Sequence, residues 1–577
     1  MSSFARSQPI PPISKSASPS SPFLTVRLFH FLATLADNHG WVLFAAVCLA
    51  CGWGALTTMG TRHLNHDELF TFYIAQAPTL RQLLKLSHTV DLQPPLAYLL
   101  VRGSFAIFGV SSWSCRLPFL LAYCSTAALM FYFLRRLLSP LYGLVATLLL
   151  WSNSCAYLAR EARPYSILLC CTTLLLVSWY EAVSTEDSAV RRPALATVLL
   201  AGFGLLLSHV FGLLVYATFF LAEVLRFLIR RRTDWPLWLV LLLPLAAVVT
   251  YVPLLHNHST MLFAEEYRVT PILLLSFYWE SIRFLITPLA FIALLALLWP
   301  ILRKGLLVTA PAVSQALSIP FGFLLIAFAF VPLTIGILFA RMGTAFFNRY
   351  GVIWLVPLAL GPPLILGYRS HRDRTAGVAA VLVLAVILFF NTAGKPWILQ
   401  QVSNLVPPRT AAKLLYLLAL PPLIPVHYPA TPSYLQEEMA KAPFFSHLDS
   451  VAPELPMVAN TGLTFVEVDR QESVQVAQRL YFLADEKAAS AIAHDTVFAH
   501  YELVKQAFPV IRGTVEPYHA FIAAHPRFVV IGAYNNPQGW LLRKLDRDGA
   551  KLQVIGTCAG YSEDCQIYEV NVRPPQP

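Results

Sequence analysis

The chain has 577 residues, of which 57% are hydrophobic and only 13% are charged, and its mean hydropathy is +0.60. Soluble proteins carry about twice that charged fraction, so the composition excludes an ordinary water-soluble globular protein. The formal net charge of +11 divides into +16 over residues 1–425 and −5 over residues 426–577; no basic stripe interleaved with aromatics points to nucleic acid.

Residues 1–22 are rich in Ser and Pro, lack apolar periodicity, and read as a disordered cytoplasmic tail. Residues 23–36 form a short amphipathic stretch suited to the inner membrane surface. From there the chain is dominated by long apolar runs, each able to span the roughly 30 Å hydrocarbon core as a helix. About eleven are expected, at 41–59, 117–134, 141–158, 165–181, 194–210, 211–229, 236–255, 285–301, 319–340, 351–367 and 376–392. Arg135-Arg136, Arg191-Arg192, Arg230-Arg231-Arg232, Arg303-Lys304 and Arg369/Arg372/Arg374 fall in every second loop. Positive loops face the cytoplasm, which puts the alternate loops outside. The loops holding Asp67, Arg160–Arg163 and Asn348-Arg349-Tyr350 are then on one outer face and could share a site.

The loop at 60–116 is long enough to carry function. Within it Pro94–Phe108 is apolar but short, and reads as an interfacial helix started by Pro94-Pro95. Near Val426 the apolar runs shorten and charges return. Strands are expected at Pro456–Ala459, Arg527–Ala533, Leu552–Gly556 and Gln566–Val572. Helices are expected at Ser433–Ala442, Ser473–Leu483, Phe498–Ala507 and Pro517–Ala524. The alternation implies a small α/β domain, and an odd number of spans makes it extracytoplasmic. Ala411–Val426, broken by three prolines, reads as interfacial; as a twelfth span it would move the tail inside. The expected organisation is a tail and amphipathic segment at 1–40, a transmembrane domain at 41–425 and a periplasmic α/β domain at 426–577. Seven cysteines lie in or beside spans, where a thiol acts as a small hydrophobe. Cys558 and Cys565 flank a short polar turn and suit a local disulfide in an oxidising compartment.

The densest chemistry follows the first span, in Asn65-His66-Asp67-Glu68-Leu69-Phe70-Thr71. Two carboxylates at a membrane boundary are a functional-site candidate by default; the structural alternative is an acidic pair at a helix N-terminus. Two further motifs are Asp91-Leu92-Gln93-Pro94-Pro95-Leu96-Ala97-Tyr98, with Phe108-Gly109 and Arg116-Leu117-Pro118 behind it, and Arg160-Glu161-Ala162-Arg163-Pro164-Tyr165-Ser166. Over residues 41–230 the order and spacing of the three resemble the GT-C superfamily of membrane glycosyltransferases, in the branch of bacterial PMT-like, aminoarabinose-transferase-like and Rgt-type enzymes. The rest of the chain matches that family only in general plan.

The resemblance implies an α-helical polytopic fold in a bacterial inner membrane. It implies inverting transfer of a sugar from a polyprenyl-phosphate donor to a hydroxyl on a lipid, glycan or protein at the outer face. It assigns the catalytic role to Asp67. The chemistry agrees, because a sugar hydroxyl is a poor nucleophile and a carboxylate in reach can take its proton. A departing lipid phosphate needs positive charge, which the planar fork of Arg supplies; Arg163, Arg349 and Arg160, with Tyr350, are the candidates. His66, Glu68, Asp91 and Glu161 are candidate supporting or acceptor-binding residues. Asp91 could equally be a helix N-cap, and Glu161 an ion-pair partner of Arg160 or Arg163. Where this sequence has Gln93 the family often has another polar residue such as His. His256-Asn257-His258 and Glu265-Glu266 would suit a divalent cation, but solvated loop charges account for them as well, and the metal requirement stays open. His209 reads as a packed histidine. Two other classes remain: a secondary transporter, which would place polar residues near the midplane within a two-fold repeat, and a non-catalytic envelope protein.

Overall fold

The computed structural model describes residues 24–259, 269–282, 285–302, 319–342, 346–389, 448–496, 510–557 and 565–572. The expectations at 1–22, Glu265-Glu266, Ala411–Val426, Ser433–Ala442 and Phe498–Ala507, and the domain boundary near Val426, lie outside the described residues.

The membrane part is built from α1 (Leu24–Met59), α2 (His66–Ala75), α3 (Leu80–Thr89), α4 (Leu96–Phe108), α5 (Ser112–Leu137), α6 (Pro140–Ser152), α7 (Tyr165–Ser184), α8 (Ser188–Ser208), α9 (Gly212–Arg230), α10 (Trp235–Leu242), α11 (Tyr251–Ser259), α12 (Pro271–Ile282), α13 (Ile286–Leu302), α14 (Ile319–Met342), α15 (Leu355–Arg369) and α16 (Arg374–Phe389). The eleven expected runs are helical over most of their described residues, except that Asn153 breaks 141–158 and residues 209–211 part α8 from α9. Among the described residues eight stretches are long and apolar enough to cross a membrane: Leu28–Thr57, Ser112–Leu137, Tyr165–Ser184, Ser188–Ser208, Gly212–Arg230, Trp235–Leu254, Ile319–Met342 and Arg349–Arg369. Pro140–Ser152, Pro288–Trp299 and Arg374–Ile387 are apolar but shorter. The chain is thus a multi-pass membrane protein.

Three details position the site. First, α6 is the innermost helix. All of its residues are buried, and it packs against α1, α5, α15 and α16. Its 13 residues rise only about 20 Å. A 3-10 turn, Ser154–Arg160, adds roughly 14 Å, carrying the chain to Glu161 and Arg163. Asn153 caps that turn, its side chain accepting from the Cys155 N–H at 2.6 Å. Second, α4 begins at Leu96, as the Pro94-Pro95 pair implies, and is too short to span. It packs on α2 and α5 through Ala97, Tyr98, Val101, Ser104 and Phe105, and leaves Leu99, Leu100, Ile107 and Phe108 exposed. Third, residues 24–36 do not form a separate surface helix. They run on into the first span as one helix, interrupted only at His39 (φ −124°, ψ 26°). The sequence between them lacks a proline, so the kink beside Gly40 bends the helix without ending it.

The C-terminal domain is a six-stranded sheet of β1 (Met457–Ala459), β2 (Leu480–Ala484), β3 (Thr514–Pro517), β4 (Arg527–Gly532), β5 (Lys551–Thr557) and β6 (Gln566–Asn571), in the order β3-β2-β1-β4-β6-β5. Strands β1 to β4 run parallel, with Met457 opposite both Leu480 and Val529, and β6 is antiparallel to β4 and β5. The buried central strands are near-continuous apolar runs, as parallel sheets require. Several elements differ from expectation, among them strand β3 and a helix at Leu541–Arg547, neither of which was expected. Ser473–Leu483 is a single turn of helix, Val474–Gln478, followed by strand β2. A ten-residue helix, α17 (Gly462–Gln471), stands where none was expected.

The domain does not hang free. Leu64, Leu69, Phe72, Tyr73 and Tyr98 of the first loop share one apolar cluster with Met457, Phe465, Val468 and Val529 of the domain. The loop and the domain therefore lie on the same side of the bundle.

Candidate active site

Helix α2 opens with a capping box. The Asn65 side chain accepts from Glu68 N–H at 2.8 Å, and Glu68 Oε2 accepts from Asn65 N–H at 3.0 Å. This places Asp67 and Glu68 in the first turn, where the helix dipole favours acids. Helical neighbours point about 100° apart, and here the two acids go to different places.

Glu68 turns inward and is fully buried. Its Oε1 accepts from Arg116 Nε (2.7 Å) and Ala162 N–H (2.9 Å), and its Oε2 from Arg116 Nη2 (2.6 Å) and Arg62 Nη2 (3.0 Å) as well as the cap. Arg116, also fully buried, spends its remaining donors on the carbonyls of Met59, Arg62 and His63. Burial opposes ionisation of Glu68, but Arg116 outweighs it and holds the carboxyl below its usual range. Glu68 is thus a corner post joining the end of α1, the start of α5 and the 160–163 segment. With every lone pair taken and no exposure, it cannot bind an acceptor as expected.

Asp67 turns outward and keeps 15% of its side chain exposed. Its Oδ2 is ion-paired with Arg349 Nη1, and its Oδ1 lies 3.9 Å from His66 Nε2. Burial opposes its ionisation, but Arg349 and then His66 outweigh this, and the carboxyl is held far below its usual range. Arg349 stands over the rings of Phe347 and Tyr165 at 4.8 and 6.0 Å, and its buried Nε has no hydrogen-bond partner among the described residues. Tyr350 packs in an aromatic group with Tyr165, His209, Phe211 and Phe346. His209 is buried in that group, and burial lowers its pKa well below the ordinary value, so it is a neutral, packed ring as expected.

Asp91 and Arg163 take each other. Two bonds join them, Nη1 to Oδ2 at 2.6 Å and Nη2 to Oδ1 at 3.0 Å, with both side chains almost fully buried. Tyr98 donates to Asp91 Oδ2 at 2.6 Å, and Arg163 Nη1 also reaches Asp67 O at 3.1 Å. Asp91 is therefore not an N-cap; Pro95 holds that position without a side-chain bond. Arg163, expected to bind phosphate, has its fork on the Asp91 carboxylate, and its buried Nε has no hydrogen-bond partner among the described residues.

Glu161 lies beside the helix α2 cap rather than on the Arg163 fork, which Asp91 occupies. Its Oε1 accepts from Asn65 Nδ2 at 3.4 Å, and its buried Oε2 has no partner among the described residues. Burial raises its pKa above the usual carboxylate range. The carbonyl of Arg160 accepts from Arg62 at 3.3 Å. Gln93, from the second motif, has a buried Oε1 without a partner.

The C-terminal domain reaches into this group, which the sequence did not suggest. On α17, Glu467 Oε1 accepts from His66 N–H at 3.1 Å and lies 3.2 Å from His66 Nδ1. Asp469 accepts from Tyr73 Oη at 3.1 Å, Gln471 donates to Leu64 O at 3.1 Å, and the Arg470 guanidinium stands 4.8 Å from the Phe72 ring. Glu467, Arg470 and Gln471, at i, i+3 and i+4, share one helix face.

Among the described residues no group of three or more His, Cys, Asp or Glu is arranged to hold a metal ion. Cys565 is disulfide-bonded, and Cys558, its expected partner, lies outside the described residues. The other seven cysteines are free.

Residues 92–253 match the family model described as dolichyl-phosphate-mannose-protein mannosyltransferase. Two crystal structures of ArnT from Cupriavidus metallidurans, one in the apo state and one bound to undecaprenyl phosphate, are similar to the chain. Each shares 14% identity, and the TM-scores are 0.47 and 0.48 respectively; 92% of this chain and 98% of theirs are covered. No curated protein sequence matches. The family match covers most of the second motif and all of the third, and it agrees with the resemblance to GT-C membrane glycosyltransferases drawn from them. The matched stretch lies within a multi-pass membrane chain that ends in an α/β domain.

Proposed function

We propose that the chain moves a sugar, with inversion, from a polyprenyl-phosphate donor to a hydroxyl acceptor at the outer face of a bacterial inner membrane. In this reading residues 41–425 form the catalytic membrane domain and 426–577 a periplasmic domain. The observation that carries it is the Asp67–Arg349 pair. It joins a partly exposed carboxylate to a guanidinium with an unused Nε–H, at one end of a bundle of apolar helices.

Such a pair can exchange partners. A donor phosphate approaching Arg349 competes with Asp67 for the fork, and Arg binds phosphate oxygens through two parallel bonds. Asp67 is then released beside the anomeric carbon with a free lone pair. The acceptor oxygen attacks that carbon, and its proton passes to Asp67. The carbon–oxygen bond to phosphate breaks, and polyprenyl phosphate leaves with its charge on Arg349. One displacement at one carbon inverts its configuration. Glu161, whose pKa burial raises above the usual carboxylate range and whose Oε2 has no partner among the described residues, is suited to meet an acceptor or sugar hydroxyl.

The test uses full-length protein in proteoliposomes containing undecaprenyl-phosphate-linked radiolabelled sugar and an envelope lipid extract as acceptor. Label should move to the extract in step with release of undecaprenyl phosphate, and nucleotide sugar alone should give none. Label that moves from nucleotide sugar, or no transfer from any lipid-linked sugar, would overturn the reading.

A further inference from the structure

The acid on the tail that the proposed reaction does not use is Glu467. Its side chain is 3% exposed, so its charge must be answered locally. The group that answers it lies 401 residues away, on another part of the fold: the backbone N–H and Nδ1 of His66 both converge on Glu467 Oε1. The opposite edge of the same ring faces Asp67 Oδ1. Glu467, His66 and Asp67 thus form a line from the C-terminal domain to the exposed carboxylate.

The geometry has a chemical consequence. Beside Asp67 stand Arg349, the His66 ring and, on its carbonyl oxygen, Arg163. The reaction proposed above sends Arg349 to the phosphate. Burial would then favour a proton on Asp67, and a base already carrying a proton cannot accept another. His66 can replace the lost charge only as an imidazolium. A free histidine is mostly neutral near pH 7. The charged groups facing the ring are Asp67, Glu467 and Arg349. Burial opposes the charged ring, but the two acids outweigh it and raise the pKa of His66.

We propose that Glu467 is a positioning residue, supplied by the C-terminal domain, that anchors the His66 ring against Asp67 so that the site is whole only when the domain is seated. This rests on the function proposed above, in which Asp67 is the base. Glu467 itself touches no reacting atom. It acts by fixing the ring plane and its proton, and the ring in turn keeps Asp67 oriented and ionised while Arg349 is engaged.

The test reads His66 directly and needs no substrate. Full-length protein in lipid nanodiscs is treated with diethyl pyrocarbonate between pH 5 and 9, and the His66 peptide is quantified by mass spectrometry. Only the neutral ring reacts, so the rate profile gives the His66 midpoint. In the native protein it should lie above the ordinary value of about 6.5. Glu467→Gln should lower it by about one unit, and Glu467→Asp, which keeps the charge, should restore most of that shift. Tyr73→Phe, which loosens the neighbouring Tyr73–Asp469 contact without touching His66, should leave the midpoint in place. Equal midpoints for native and Glu467→Gln protein would overturn the proposal, as would an Asp variant that behaves like Gln or a Tyr73→Phe shift as large. Sugar transfer that survives Asp67→Asn would instead overturn the proposed function and leave the midpoint shift as it stands.

Discussion

Adjacent side chains can have opposite tasks, and Asp67 and Glu68 do. Glu68 receives five hydrogen bonds and is wholly buried, whereas Asp67 keeps one exposed edge. Removing one partner of a buried ion pair leaves the other uncompensated, at a cost of about 3–5 kcal/mol. Glu68→Gln and Arg116→Met should each lower the melting temperature of the detergent-solubilised protein by several degrees, and Asp67→Asn should lower it far less. Equal losses for all three would show that Asp67 too is structural. The sequence marked Asp67, Asp91, Arg163 and Arg349 as candidates, because charged residues at a membrane boundary are rare and need a reason. It could not tell that Arg163 is consumed by Asp91, 72 residues away, or that Arg349 reaches Asp67 instead. Ion pairing is decided in space, and both arginines sit in motifs of similar composition. Glu467 carried no signal at all: it lies in Gly462–Gln471, where no element was expected.

At the scale of elements, the apolar runs were legible because a bilayer imposes one length and one composition on every span. The α/β domain was half legible. Strands β1, β4, β5 and β6 stood between turn signals. Leu480–Ala484, a five-residue apolar strand directly after a helical turn, has no period that separates it from the end of that helix. Close helix contact also leaves a mark. A Cβ on Gly143 of α6 would stand 2.8 Å from the Phe131 carbonyl oxygen and 2.7 Å from its ring on α5. Small residues permit such approach between membrane helices. In an open helix Gly→Ala stabilises by up to about 1 kcal/mol; here Gly143→Ala should destabilise, because backbone on α5 must move. Thermal denaturation of the variant checks this, and a raised melting temperature would show that α5 and α6 are not packed this closely.

At the scale of the whole molecule, the site is assembled from four separated stretches: the first loop, the end of the 3-10 turn after α6, the Arg349 turn before α15, and α17 of the C-terminal domain. The bundle fixes the first three on one boundary, and the domain seals the fourth side with Glu467, Asp469 and Gln471. A transporter would concentrate its charges near the midplane; here Asp67, Asp91, Glu161 and Arg349 gather at one end. In the proposed reaction Asp67 takes the acceptor's proton once Arg349 has gone to the phosphate. Positioned general bases contribute roughly 10²–10⁴-fold to rate. The most direct measurement is single-turnover transfer from undecaprenyl-phosphate sugar by native and Asp67→Asn protein matched for folding. The Asn variant should lose about 10³-fold in rate with donor binding retained. An Asn variant within tenfold of the native rate would contradict it.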